Sequence, residues 1–157
     1  MDRITLYKLI DNKINVKLPS VFQNGYKIER KDFDVTDIHN SNPYYCLVLN
    51  LPLHRMVEMF FWQQGAISEV NNFSIIIYNT KSINNDIGKS PHFSLMNYYY
   101  NKTNSRKGFS LNDYEGAINE KIDKMLSFVF KLIINDLFDV FSGKTWINVP
   151  WDWCGAK

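Results

Sequence analysis

With 157 residues, a net charge of +2, 45% hydrophobic and 22% charged residues, the chain has the length and balance of one globular domain, 1–157. That balance excludes a disordered or fibrous chain, and the charge is too mild to call for a nucleic-acid or membrane partner. Aromatic residues are in excess at 15%, most of them Tyr and Phe, which leaves ample apolar area for a core.

In chain order, the first half is predicted to form strands. Ile14, Val16 and Leu18 alternate with Asn15 and Lys17, and after Asn24-Gly25 the pattern resumes with Tyr26 and Ile28 against Lys27 and Glu29. Asn-Gly tolerates the backbone of a type I′ turn, so a hairpin is expected there. Tyr44 to Leu51 is nearly continuous in apolar residues and predicts a buried, central strand. Pro52 to Gly65 is predicted as a short helix, because proline suits a first helical turn and glycine the position past a helix end. Phe73 to Tyr78 and Phe93 to Tyr100 are predicted strands, separated by the polar loop Asn79 to Pro91.

Ser110 is positioned to cap a helix whose positive end Asp113 supports. From Leu111 to Phe141, Tyr114, Ile118, Ile122, Met125, Val129, Ile133 and Leu137 recur at three- and four-residue steps. This spacing predicts one long helix, apolar nearly all round in its middle and ended by Gly143. Lys144 to Trp153 is predicted as a short strand or extended tail. The fold class expected is therefore α+β, a mainly antiparallel sheet with one short helix and one long C-terminal helix packed on it.

Cys46 and Cys154 are far apart, at no metal-ligand spacing, and both are expected as reduced thiols in a cytoplasmic protein. The N-terminus lacks the apolar stretch of a signal peptide, and the longest nearly apolar run, Met125 to Ile134, is too short to span a bilayer. No P-loop, GxGxxG, GxSxG, HExxH or CxxC motif occurs, so the expectation is no enzyme, no catalytic residue, no metal and no cofactor. A Cys46/His54 pair would supply a nucleophile and base, but Cys46 falls in the most apolar strand, where burial makes a thiol inert. Tyr98-Tyr99-Tyr100 beside Lys102, Arg106 and Lys107 has the ingredients of a single-strand stacking site. Without a basic face, nucleic acid remains the disfavoured reading.

The candidates for binding are acidic and aromatic. Asp32, Asp34 and Asp37 form one acidic cluster, and Asp113, Glu115 and Glu120 mark the start of the long helix. Solvated acidic edges account for both groups as well. The tail Trp146 to Cys154 carries three tryptophans, and Trp151 and Trp153 are candidates either to close the core or to anchor a partner, since tryptophan is enriched at interface hot spots.

A chain without enzyme motifs, whose long C-terminal helix runs into Gly143-Lys144-Thr145-Trp146 and a Trp/Pro tail, resembles the immunity proteins of bacterial polymorphic toxin systems, such as contact-dependent growth inhibition and type VI secretion. The resemblance implies a non-catalytic protein that binds one cognate secreted toxin domain and blocks it. Many inhibitors of nuclease toxins are strongly acidic and this chain is not, which argues against a nuclease partner. Two other classes stay open from the sequence: a small enzyme with an unrecognised site, and a phage or mobile-element accessory protein binding host protein or single-stranded nucleic acid.

Overall fold

The computed structural model describes residues 2–31, 45–63, 71–80 and 90–150. Among these, helix α1 (Arg3–Val21) is followed by strands β1 (Lys27–Arg30), β2 (Tyr45–Leu51), β3 (Arg55–Gln63), β4 (Asn71–Asn79) and β5 (His92–Ser94), then helices α2 (Leu95–Thr103), α3 (Ile118–Asp136) and α4 (Phe138–Phe141). The strands form one sheet in the order β1-β2-β3-β4-β5, each antiparallel to the next. This is the α+β class expected, with helices and sheet sharing one core.

The N-terminal segment is a helix and not the expected strand. Asp2 caps it, its carboxylate accepting from the Thr5 amide at 2.9 Å and the Thr5 hydroxyl at 2.8 Å. Leu6, Ile10, Ile14 and Leu18 repeat every four residues and are all buried, which is one stripe of a helix. Val16, the middle member of the apparent strand alternation, is 81% exposed. The β-branched Ile14 and Val16 imitate strand composition, but the four-residue repeat determines which face is buried. Gly25, at φ +101°, then turns the chain from α1 into β1, so Asn24-Gly25 joins a helix to a strand and makes no hairpin.

Pro52 to Gly65 is likewise corrected, since Arg55–Gln63 is strand β3, paired with both β2 and β4. Val57, Met59 and Phe61 face the helices while Met56 and Glu58 are buried on the opposite face, so no polar alternation marks the strand. The expected strand Phe93 to Tyr100 stops at Ser94, whose hydroxyl accepts from the Asn97 amide at 3.1 Å and starts α2. The single long helix expected from Leu111 to Phe141 is divided. Leu111–Asp113 is a 3-10 turn, Gly116 (φ +114°) breaks the path, and α3 and α4 meet at Leu137.

One sheet face, with Leu47, Leu49, Val57, Met59, Ile75 and Ile77, packs against the helices. Helix α3 carries Ile122, Met125, Leu126, Val129, Phe130 and Ile133 into that core, and Gly143 (φ +85°) follows α4 as the expected terminator. Replacing Val129, which has no exposed surface, with Asp forces a charge among apolar neighbours and is expected to cost about 4 kcal/mol or more. Thermal melting checks this: a variant melting with the wild type would show that α3 is peripheral.

Candidate binding surface

The three candidate acids that the described residues include do not form one acidic patch. The Asp113 carboxylate is committed inside the chain, accepting from the amides of Gly108 at 2.7 Å and Ser110 at 3.1 Å in a capping box. Glu115 and Glu120 are exposed near the start of α3, interleaved with Lys121 and Lys124, and Lys124 donates to the Glu115 carbonyl at 2.9 Å. Asp123 is paired with Lys13 at 2.7 Å. Asp32, Asp34, Asp37, Trp151 and Trp153 lie outside the described residues.

The sheet register separates Cys46 from His54. Cys46 pairs with Phe60 and Leu51 with Arg55, so most of the hairpin, roughly 17 Å of strand at about 3.3 Å per residue, lies between thiol and imidazole. The tyrosine run sits on α2 and its rings are absorbed locally. Tyr99 packs on Phe109 and Phe128, the Tyr98 hydroxyl donates to Asp136 at 3.4 Å, and the Arg106 guanidinium lies 5.2 Å from the Tyr100 ring centre. Lys102 forms an ion pair with that same Asp136, so one of the cations beside the tyrosines is already paired within the chain.

The feature that stands out is the turn between β2 and β3, Pro52-Leu53-His54. Proline holds φ near its fixed value, and the next two residues both adopt left-handed backbone, φ 57° at Leu53 and 65° at His54. Side chains other than glycine pay about 1 kcal/mol or more each for this conformation, so the surroundings must hold it. Leu53 is also 62% exposed, an unusual place for a large apolar side chain held so firmly. A methyl group on Gly143 would come within 2.4 Å of the Leu53 Cβ, so the turn rests directly on the chain leaving α4.

Beside the turn lies an apolar notch lined by Phe22, Leu51, Pro52, Ile133, Phe138 and Phe141, where the end of α1, the turn and α4 meet. At about 20 Å³ it has room for one water or methyl group, too little for a small-molecule substrate. Phe138 and Ile134 are each 38% exposed, the first on the notch rim and the second one turn earlier in the chain. Asp139 and Lys144, both well exposed, add one charge of each sign next to them. The notch is therefore apolar, with one charge of each sign close to its Phe138 rim.

The opposite sheet face carries a second polar group in an apolar setting. Glu58, 9% exposed, is flanked by the buried Val48, Met56 and Tyr78. Burial pushes its carboxyl above the ordinary value of 4.5, while the Arg30 charge, a hydrogen bond from Tyr78 and His92 draw it back. The Tyr78 hydroxyl is in turn pushed up, first by burial and then by the Glu58 charge. Among the described residues no three His, Cys, Asp or Glu side chains converge as metal ligands.

Missing these residues had a cause. Pro52 and Gly65 fit the two ends of a helix, so Arg55 and Glu58 fall inside the helix expected over Pro52 to Gly65. The available signal was that two apolar runs of similar length, Tyr45–Leu51 and Arg55–Gln63, flank Pro52-Leu53-His54 as a hairpin would.

Two outcomes follow from this geometry. His54→Gly removes the left-handed penalty and is expected to raise stability by about 1 kcal/mol, read from the denaturation midpoint, where a drop would show that the imidazole makes a needed contact. For Glu58, a raised folded-state value means that ionisation costs stability, absent below the unfolded value and complete above the folded one. Glu58→Gln should thus gain on the wild type as pH rises upward from about 4.5 and then level off, while a gap that narrows with pH would reverse the assignment. Set against known proteins, this chain finds no counterpart: no family model matches it, and neither a curated protein nor a solved structure does.

Proposed function

We propose that the chain is a stoichiometric protein-binding protein, an immunity protein that neutralises a cognate secreted toxin domain by covering it. The observation that carries this reading is Leu53, a large apolar side chain held exposed on left-handed backbone next to Pro52, which shares an apolar notch with the half-exposed Phe138. Strained, exposed positions persist where function uses them, and apolar anchors with a polar rim are what interfaces bury.

A stable complex needs about 800 Å² from each partner, more than Leu53, Ile134 and Phe138 supply, so these serve as central anchors within a wider polar contact. Asp139 and Lys144 at the edge fit a partner patch of mixed charge, and they would tune association rate and register more than affinity. The exposed Glu115 and Glu120 and the tail from Trp151 are further contacts this reading accommodates.

Leu53→Asp tests it. Aspartate tolerates left-handed backbone and keeps the Cβ that rests against Gly143, so the fold is expected to survive with an unchanged melting temperature. A neighbouring gene is expected to encode the toxin domain; co-expressed with it, the wild type is expected to protect cells and co-purify, and the variant to bind at least about ten-fold more weakly, a loss of about 1.4 kcal/mol typical of an interface anchor. Full protection by Leu53→Asp would remove this surface from the interface, and failure of the wild type to bind that domain would remove the reading itself.

A further inference from the structure

We infer that the segment Lys144–Pro150 is a strap that sets the conformation of the Pro52–His54 turn, with Arg55 as the positioning residue that couples the two. Arg55 is the first residue of β3, directly after the left-handed pair. Its side chain lies on the helix-facing side of the sheet, 5% exposed, where a charge persists only if its donors are used. Nε donates to the Val140 carbonyl at 2.8 Å, one terminal nitrogen to Asn79 Oδ1 at 2.6 Å, and the other to the Thr145 carbonyl at 2.7 Å. The guanidinium also lies 5.0 Å from the centre of the Trp146 ring, which packs in turn on Phe93.

The strap is tied at both ends as well. The amides of Lys144 and Thr145 donate to the Asp139 carbonyl at 2.9 and 3.1 Å, and Asn97 and Asn101 donate to the Pro150 carbonyl at 2.8 and 3.2 Å. Between these ties its side chains are only half-buried, and among the described residues Trp146 Nε1 is buried without a hydrogen-bond partner. Leaving such a donor unmet opposes docking, which makes the strap easier to lift than its other contacts suggest. The turn is thus held at two adjacent places, by Gly143 just before the strap against Leu53 and by Thr145 and Trp146 of the strap against Arg55.

When the strap lifts, Arg55 loses an acceptor and its aromatic cover, and the two left-handed residues beside it lose what offsets their strain. The strap therefore controls whether Leu53 is presented. That regulatory meaning rests on the binding surface proposed above, whereas the mechanical coupling does not.

Nuclear magnetic resonance of the isolated protein tests the coupling without any partner, so its failure and that of the binding reading are told apart. The half-exposed Trp146→Ala is expected to keep the fold, to speed amide exchange at Lys144 and Thr145 by about ten-fold, the scale of one weakened charge-assisted hydrogen bond, and to change the HN–Hα couplings of Leu53 and His54. Arg55→Lys keeps the charge but loses the fork of donors, and is expected to do the same. Amides at Met59 and Ile75, in the middle of the sheet, should be unaffected. Faster exchange in the strap with unchanged couplings at Leu53 and His54 would overturn the coupling, and so would unchanged exchange in the strap. Should Arg55→Lys fail to fold, Trp146→Ala decides alone.

Discussion

Strands β2, β3 and β4 are apolar on both faces, and a sheet of that kind is stable only when both are kept from water. The helices serve one face, where Leu47, Met59 and Ile75 stand in register across three strands and meet the apolar stripes of α1 and α3. On the other face Val48, Met56 and Tyr78 are equally withdrawn. Most described positions along these strands are buried, and the two charged residues among them, Arg55 on one face and Glu58 on the other, are thereby forced into dry surroundings.

They resolve that demand differently. Arg55 remains charged at any ordinary pH, so burial lowers its pKa without neutralising it, and the fold surrounds it with three oxygen acceptors and an aromatic ring. Those acceptors come from α4, β4 and the segment after α4, so one guanidinium gathers three parts of the chain at one end of the sheet. Glu58 is only partly compensated, and its carboxyl therefore shifts toward the neutral form. The first group organises the architecture, whereas the second taxes it in a pH-dependent way.

The same end of the sheet holds the strained turn, and the two facts are connected. A pair of non-glycine residues in left-handed backbone persists when neighbouring structure leaves no alternative, and here the neighbours are the Arg55 cluster and a glycine that admits no side chain. Backbone held in this way suits an interface anchor, because a segment already ordered loses little backbone entropy on binding.

Much of the architecture was legible in the residues. The α+β class, the buried strand Tyr45–Leu51, the strand around Phe73 to Tyr78, the Ser110 capping position and the apolar middle of α3 all follow from periodicity and local capping chemistry. What local pattern could not decide was any segment where two periods coexist or where none shows. Ile14 and Leu18 satisfy a strand and a helix alike while Val16 fits only the strand, and the burial of Leu6, Ile10, Ile14 and Leu18 against the sheet and α3 selects the helix. Met56 to Phe61 has no polar beat because both sheet faces are covered, so its strand character exists only once β2 and β4 flank it. The candidate surface was hidden for the same reason: Leu53, Gly143, Arg55 and Thr145 are distant in sequence, and their meeting depends on the register of the hairpin and the path of the chain after α4. Composition and periodicity determined which residues seek the interior, while the tertiary structure alone decided which polar and strained residues were left at its edge, because that depends on long-range packing that no local pattern encodes.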